Sequence, residues 1–284
     1  MTKKIGNKIG EGACAEVFEW EDQSKIVKVA KPNTSTRALQ EELHHCRIAW
    51  ECGLPVPKPF EQVNIEGRFG IVFERILGET FLKRFIDGAV KQSQLNLPIH
   101  VSENYSDVRM TARLLYQIHT HSVPDMPSQR DYIKHDIRLA SYLTEVEKAA
   151  VIALLDQLPL KHQLCHGDPN PANILLRDND AVVVDWSNAT TGNPEADLAE
   201  YIVMIRYAIL PSDWPNEVSV VLNATRETII RIFMEEYEKL SGIGYADIEP
   251  WIAPIAARKL SADAMSLEEK HLLVKEIRRR LHCN

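Results

Sequence analysis

No run of apolar residues in this 284-residue chain comes near the roughly 20 that a membrane-crossing helix requires. The polar start Met1-Thr2-Lys3-Lys4 also lacks the apolar core of a signal peptide. These two absences set the expectation of a cytoplasmic protein with no membrane partner. Cysteine is scarce: Cys14, Cys46, Cys52, Cys165 and Cys283 are odd in number, and no two have metal-type spacing. Free thiols in a reducing compartment are the simplest reading. Excess positive charge is missing as well, with 33 basic against 40 acidic residues and a net charge of −7. That balance argues against a general nucleic-acid surface, which needs a basic field to displace phosphate counterions. Internal repeats and low-complexity tracts are absent, which argues against solenoid and disordered classes. What remains, 45% hydrophobic and 26% charged, is a globular chain of one or two domains whose partners are small molecules.

The pattern changes once along the chain. From Lys4 to Glu74 it is short and β-rich, with strands expected at Lys4–Ile9, Ala15–Trp20, Lys25–Ala30, Phe60–Ile65 and Phe69–Glu74. One helix interrupts them, from Thr36 as cap to Cys52, where Gly53 and Pro55 stop it. Beyond Leu77-Gly78 periodic apolar positions predict helices at Tyr105–Thr120, Glu145–Leu158, Pro194–Leu210, Glu217–Leu240 and Leu267–Leu281. The polar stretch Ala89–Ser102 reads as a loop. The expected division is therefore 1–76 as a nucleotide-binding part and 77–284 as a catalytic and acceptor-binding part.

The chemistry is concentrated in Leu164-Cys165-His166-Gly167-Asp168-Pro169-Asn170-Pro171-Ala172-Asn173, followed by Val182-Val183-Val184-Asp185-Trp186. Two carboxylates and a carboxamide stand at the ends of short apolar strands, a geometry that can bring all three to one side of a cleft. Phosphoryl transfer needs an aligned hydroxyl, a carboxylate to take its proton, and Mg²⁺ against the developing phosphate charge. Asp168 fits the base, and Asn173 and Asp185 fit as Mg²⁺ ligands. His166 fits a buried ring that orients the loop better than a base or a metal ligand.

The first part offers the other half. Gly10 and Gly12 in Ile9-Gly10-Glu11-Gly12 would let backbone N–H groups approach phosphate oxygens, and Val17 on the returning strand would cover an adenine ring. Alone, such a hairpin is equally a tight turn. A dinucleotide-binding loop is disfavoured because a strand follows rather than a helix. Lys28 is in phase with Ile26 and Ala30 and so points inward. Glu42 lies on the apolar helix face with Leu39, Leu43 and Cys46, whereas Glu41 does not. A Lys28–Glu42 pair holding the α- and β-phosphates is the expectation, with a surface salt bridge as the alternative. Glu74 and Ile76 are assigned by position only, as a connector whose backbone could meet the adenine edge.

His166-Gly167-Asp168 with Asn173, then Asp185-Trp186, then Ala196-Asp197-Leu198-Ala199, resembles the aminoglycoside phosphotransferase and choline kinase family, relatives of protein kinases. The resemblance runs over nearly the whole chain and includes Leu54-Pro55-Val56-Pro57 after the first helix. It implies an α+β, two-lobed protein-kinase-like fold with a β-rich N-lobe and a mainly helical C-lobe. It implies ATP, or GTP, and Mg²⁺, with Asp168 as base, Asn173 and Asp185 on the metal, Lys28 and Glu42 on the phosphates, and Asp197 anchoring the catalytic loop. Ala15 in place of a third glycine, Trp186-Ser187 after the metal aspartate and the lack of an Ala-Pro-Glu motif argue against protein substrates.

The acceptor implied is a small-molecule hydroxyl, nominally an aminoglycoside; an amino alcohol or sugar is the alternative, and a nucleotide-binding pseudokinase is the reading from another class. Glu235, Glu236, Glu238, Asp247 and Glu249 read first as a solvated face and second as a polycation attractor. Trp214, Tyr237, Tyr245 and Trp251 read first as packing and second as a wall for a cation. His119 and His121 read as a packing and capping pair.

Overall fold

The computed structural model describes residues 5–12, 14–21, 23–95, 105–262 and 265–282. The chain divides into two compact units, Met1–Thr80 with Asn173–Ala189, and Phe81–Ala172 with Thr190–Asn284. The first unit thus gains a second segment that a single boundary at 76/77 does not supply.

Five antiparallel strands make the main sheet of the first unit: β1 (Ile5–Glu11), β2 (Ala15–Trp20), β3 (Lys25–Ala30), β4 (Pro59–Ile65) and β5 (Arg68–Glu74), in the order β1-β2-β3-β5-β4. Central β3 is covered on both faces. Val27 and Val29 join Trp20 and Val72 in an apolar cluster with Phe18, Phe60, Val63 and Ile65 around it. The opposite face carries Lys28, whose register partners are Val17 on β2 and Ile71 on β5. Helix α1 (Thr36–Glu51) buries Leu39, Glu42, Leu43, Cys46 and Ala49. Its cap is Ser35, not Thr36: the Ser35 hydroxyl accepts from the Ala38 N–H at 3.2 Å. Gly53, with φ of 75°, lies just past the end.

A three-stranded sheet β6-β8-β9 completes this unit, formed by β6 (Glu79–Thr80), β8 (Ile174–Arg177) and β9 (Asp180–Val183). It is tied to the main sheet and α1 at several points. The Val183 N–H donates to the Pro55 carbonyl at 2.9 Å, Arg177 pairs with Glu74 at 2.9 Å, and Trp186 is fully buried. Long-range anchors of this kind carry no local sequence pattern, which is why 173–189 reads from the sequence as part of the helical region.

The second unit is helical except for one two-stranded ribbon, β7 (Gln163–Cys165) with β10 (Thr190–Gly192). Its helices are α2 (Phe81–Gln94), α3 (Ser106–His119), α4 (Gln129–Leu139), α5 (Glu145–Gln157), α6 (Pro194–Tyr207), α7 (Asn216–Ser241), α8 (Tyr245–Ile248), α9 (Ile252–Lys259) and α10 (Leu267–His282). Helix α2 corrects the loop expected from Ala89: its inner face packs Phe85, Ile86, Ala89 and Val90 against Val218 and Val221 of α7. Residues 96–102 of that expected loop, like Lys4 and Cys283, lie outside the described residues. The five helices expected in this region, α3, α5, α6, α7 and α10, fall within a few residues of their expected bounds, whereas α4, α8 and α9 were not expected; α5 opens with a Thr144–Glu147 capping box. Helix α6 is the unusual one, buried from Pro194 through Val203 on all sides. It can be, because each of its acids has a partner: Glu195 with Lys161, Asp197 with backbone N–H groups, and Glu200 with Arg258 and Lys259. No helix among the described residues is long and apolar enough to cross a membrane.

Gly78, at the entry to β6, approaches β8 so closely that an added Cβ would stand 2.1 Å from the Leu176 carbonyl oxygen. Since the neighbour is backbone and must itself move, Gly78→Ala is expected to lower unfolding free energy by about 1–3 kcal/mol. Denaturant titration of the two proteins checks this; equal midpoints and slopes would count against the close approach.

Candidate active site

Nine of the candidate residues fall in the first unit. Lys28 Nζ donates to Glu42 Oε1 at 2.6 Å and to Asp185 Oδ1 at 3.3 Å. Glu42 is buried while half of the picture, the Asp185 side chain, keeps 40% of its surface exposed. Burial pulls the Lys28 pKa down, but the two carboxylates outweigh it and the net shift is upward, so the ammonium persists. For Glu42, burial pushes the carboxyl up against the pull of Lys28. The expected pair therefore forms, and it extends to a third member.

Asp185 sits at φ 62° and ψ 72°, in the left-handed region that a non-glycine residue seldom adopts. Three bonds hold this turn. The Val184 N–H donates to the Asn173 carbonyl at 2.9 Å, the Ser187 hydroxyl donates to Asp185 Oδ1 at 2.8 Å, and His45 Nδ1 donates to the Trp186 carbonyl at 3.0 Å. Asn173 ends a short 3₁₀ turn, Pro171–Asn173, directly before β8. The β8–β9 register pairs Ile174 with Val183, so Asn173 and Val184 are neighbours across the hairpin. Sequence reasoning missed His45. Its signal was available, three residues after Glu42 on the same buried helix face.

In the glycine hairpin, Gly10 faces Val17 across the ladder and the Gly12 N–H closes the turn onto the Ala15 carbonyl at 2.9 Å. Val17 is half-buried and directly opposite Lys28, so the two share a sheet face. Glu74 ends β5. Its N–H donates to the Lys58 carbonyl at 2.9 Å, and its carboxylate accepts from Arg177 and from the Lys58 N–H. Ile76 is half-buried two residues later.

The remaining candidates collect in the second unit. Asp197, almost fully buried in the first turn of α6, accepts the His166 N–H on Oδ2 at 2.6 Å and the Gly167 N–H on Oδ1 at 2.9 Å. His119 Nε2 also donates to Oδ2, at 3.2 Å, since a carboxylate can only accept. The Tyr237 hydroxyl lies 2.7 Å from the other ring nitrogen. Burial alone would raise the Asp197 pKa, but the His119 bond, the two imidazoles and the backbone donor overcome it, and the net shift is downward. His166 is fully buried, and its Nδ1 accepts the Asp168 N–H at 3.3 Å. Gly167 takes φ 78°, which glycine adopts without penalty, and Asp168 emerges half-buried just after it.

His119 is more than a packing and capping residue; that description fits His121 alone, whose Nδ1 reaches the Gln117 carbonyl at 3.0 Å. His119, Cys165 and Asp197 have metal-like spacing, yet both ring nitrogens of His119 and both oxygens of Asp197 are already engaged. The group is a hydrogen-bond network. Tyr237 and Trp251 are buried. Glu236 is paired with Arg109 and Arg113, Glu235 with Arg231, and Glu249 with Arg280. The acidic cluster is thus largely internally paired.

A model of the phosphotransferase enzyme family matches residues 7–242. No curated protein matches the chain by sequence. Solved structures do resemble it. A thermostable mutant of the aminoglycoside phosphotransferase APH(4)-Ia, in ternary complex with ADP and hygromycin B, has 13% identity over 98% of this chain and 93% of that one, with a TM-score of 0.64. The choline kinase LicA from Streptococcus pneumoniae has 15% identity over 99% and 94%, with a TM-score of 0.62. The streptomycin-ATP-APH(2")-IIa ternary complex has 16% identity over 97% and 91%, with a TM-score of 0.58. At such identities the likeness is one of fold: α+β and protein-kinase-like, with a β-sheet N-terminal region and a helical C-terminal region.

Asp197→Asn leaves one acceptor oxygen for three N–H donors, those of His166, Gly167 and the His119 ring, and so should lower stability at pH 7. Because the folded-state pKa of Asp197 is depressed, its contribution is complete above about pH 3.9 and is lost as pH falls through the lower folded value. The stability gap between parent and variant should therefore narrow below about pH 3.9, as read by denaturant unfolding at a series of pH values; a gap independent of pH would contradict the assignment.

Proposed function

The chain belongs to the phosphotransferase enzyme family, and from that premise we propose that it transfers the γ-phosphoryl group of ATP, or GTP, to a hydroxyl of a small molecule. The observation that carries the reading is Lys28 bridging Glu42 and Asp185. A cation held by a buried carboxylate beside a half-exposed one is suited to phosphate oxygens on one side and a hard metal ion on the other. Lys28 grips the α- and β-phosphates, and Glu42 keeps its ammonium aimed. Gly10 and Gly12, lacking side chains, let phosphate approach the hairpin backbone closely, Val17 covers the base, and the connector Glu74–Ile76 offers its backbone to the base edge.

Asn173 and Asp185 fit Mg²⁺: both offer hard oxygen donors, and the Val184–Asn173 bond keeps them on adjacent strand ends of one hairpin. When bound, the ion supplies neutralisation of charge on the phosphate oxygens. Asp168 accepts the proton of the attacking hydroxyl. His166 and Asp197 fix the loop that carries it.

For the acceptor, an aminoglycoside is the first reading, supported by the hygromycin B and streptomycin held in complexes of two proteins of similar fold. An amino alcohol or sugar is the second, and the likeness to a choline kinase favours it.

Phosphate transfer from ATP and GTP to a panel of aminoglycosides, amino alcohols and sugars tests both. Turnover should require Mg²⁺ and vanish with a chelator. Asp168→Ala should lose about 10²-fold or more in kcat while binding nucleotide as the parent does. A parent that binds nucleotide and turns over no acceptor would point to the pseudokinase reading instead. Lys28→Ala should chiefly raise the nucleotide KM, by about 10-fold, through loss of a charge-assisted phosphate contact; an unchanged nucleotide KM and kcat would remove Lys28 from the site.

A further inference from the structure

Arg258, in α9, touches the loop that carries Asp168. Its Nη1 donates to the Gly167 carbonyl at 3.2 Å and to Glu200 Oε2 at 2.9 Å, and its Nε donates to Asp136 Oδ2 at 3.3 Å. The three acceptors stand on three separate elements: the loop after β7, α6 and α4.

The Gly167 carbonyl belongs to the peptide unit that joins Gly167 to Asp168. The N–H of that same unit donates to His166 Nδ1. Both poles of the peptide immediately before Asp168 are therefore held, one by Arg258 and one by His166. Rotation of this unit would swing the Cα–Cβ bond of Asp168, and with it the carboxylate. An ion pair needed only to pack α9 would be complete with Glu200 and Asp136. The third donation, to a loop carbonyl, adds nothing to helix packing and fixes the loop.

A guanidinium suits the task. It is planar, permanently charged and carries donors at fixed angles, so it can serve a carbonyl and two carboxylates at once where an ammonium cannot keep the same directions. Glu200 is itself buried and shared with Lys259, which fixes the anchor end of the arrangement.

We propose that Arg258 is a positioning residue for phosphoryl transfer, acting through the Gly167–Asp168 peptide to hold the Asp168 carboxylate in line with the acceptor hydroxyl. This rests on the role of Asp168 as base. Arg258 acts through Asp168, by its bond to the Gly167 carbonyl and by the attraction between its charge and the Asp168 carboxylate, so it governs kcat rather than substrate affinity.

The experiment compares the parent, Arg258→Ala, Arg258→Lys and Asp168→Ala on whichever acceptor the parent uses, with thermal unfolding of each. Arg258→Ala should lose about 10²-fold in kcat, the scale of a misaligned reacting group, with nucleotide and acceptor KM within about twofold. Arg258→Lys keeps the charge but not the fork and should lose about 10-fold. Millimolar methylguanidinium should restore a saturable part of kcat in Arg258→Ala, methylammonium should not, and neither should rescue Asp168→Ala. Parent-like kcat in folded Arg258→Ala overturns the proposal, as does a loss that methylguanidinium leaves untouched. If Arg258→Ala fails to fold, Arg258→Lys decides: a parent-like kcat overturns it. Failure of the base assignment shows separately, as parent-like turnover in Asp168→Ala whatever Arg258 does.

Discussion

A buried carboxylate at position 197 is the constraint on which the second unit turns. Removing a charge from water costs several kcal/mol unless hydrogen bonds replace the lost solvent. Asp197 meets that condition with the N–H groups of His166 and Gly167 and the ring of His119. The same bonds that make the charge tolerable pin two successive peptides, and two pinned peptides force the chain through a left-handed residue, supplied by Gly167. Asp168 follows at once. The position of the proposed base is thus a consequence of how a helix buried on all sides satisfies its acids, and Glu200, one turn further along α6, extends the same logic to Arg258.

The first unit solves a similar problem differently. Lys28 is drawn inward by strand alternation, and its charge is balanced by one carboxylate that is buried and one that is partly in water. Glu42 is buried against Lys28, whereas the Asp185 side chain keeps part of its surface in water. Helix α1 carries both halves of the arrangement, Glu42 toward Lys28 and His45 toward the Trp186 carbonyl. A shift of α1 would therefore disturb Lys28 and the Asp185 turn together, which gives the positions of Glu42 and His45 a shared consequence.

Most of these elements were legible in the sequence where the cause is local. Alternation placed Lys28 inward, helical phase chose Glu42 over Glu41, and turn residues marked Gly53 as the end of α1. Legibility ended where the cause is distant. Residues 173–189 join the first unit through Pro55, Glu74 and His45, partners about 100 residues or more away that no periodicity reveals. The end of helix α2 from Ala89 reads as polar, and packing of Ala89 and Val90 against α7 is what organises it. His119 lay within an apolar pattern that predicts packing, while its bond to Asp197 spans 78 positions.

The contrast between donor and acceptor chemistry has the same physical origin. The groups proposed to act on phosphate are concentrated between 166 and 185 and around Lys28, and the direction of each is set by a few neighbours. Charge on the helices cannot be read this way, because a count of acids does not distinguish those open to a ligand from those employed in packing. Glu195, Glu200 and Glu236 are buried beside basic partners, and Glu249 is paired with Arg280 on α10. These acids hold helices to one another. A polycationic acceptor would have to displace lysines and arginines already in place, so the acidic cluster as such lends the aminoglycoside reading no support, and that reading stands on fold and family alone.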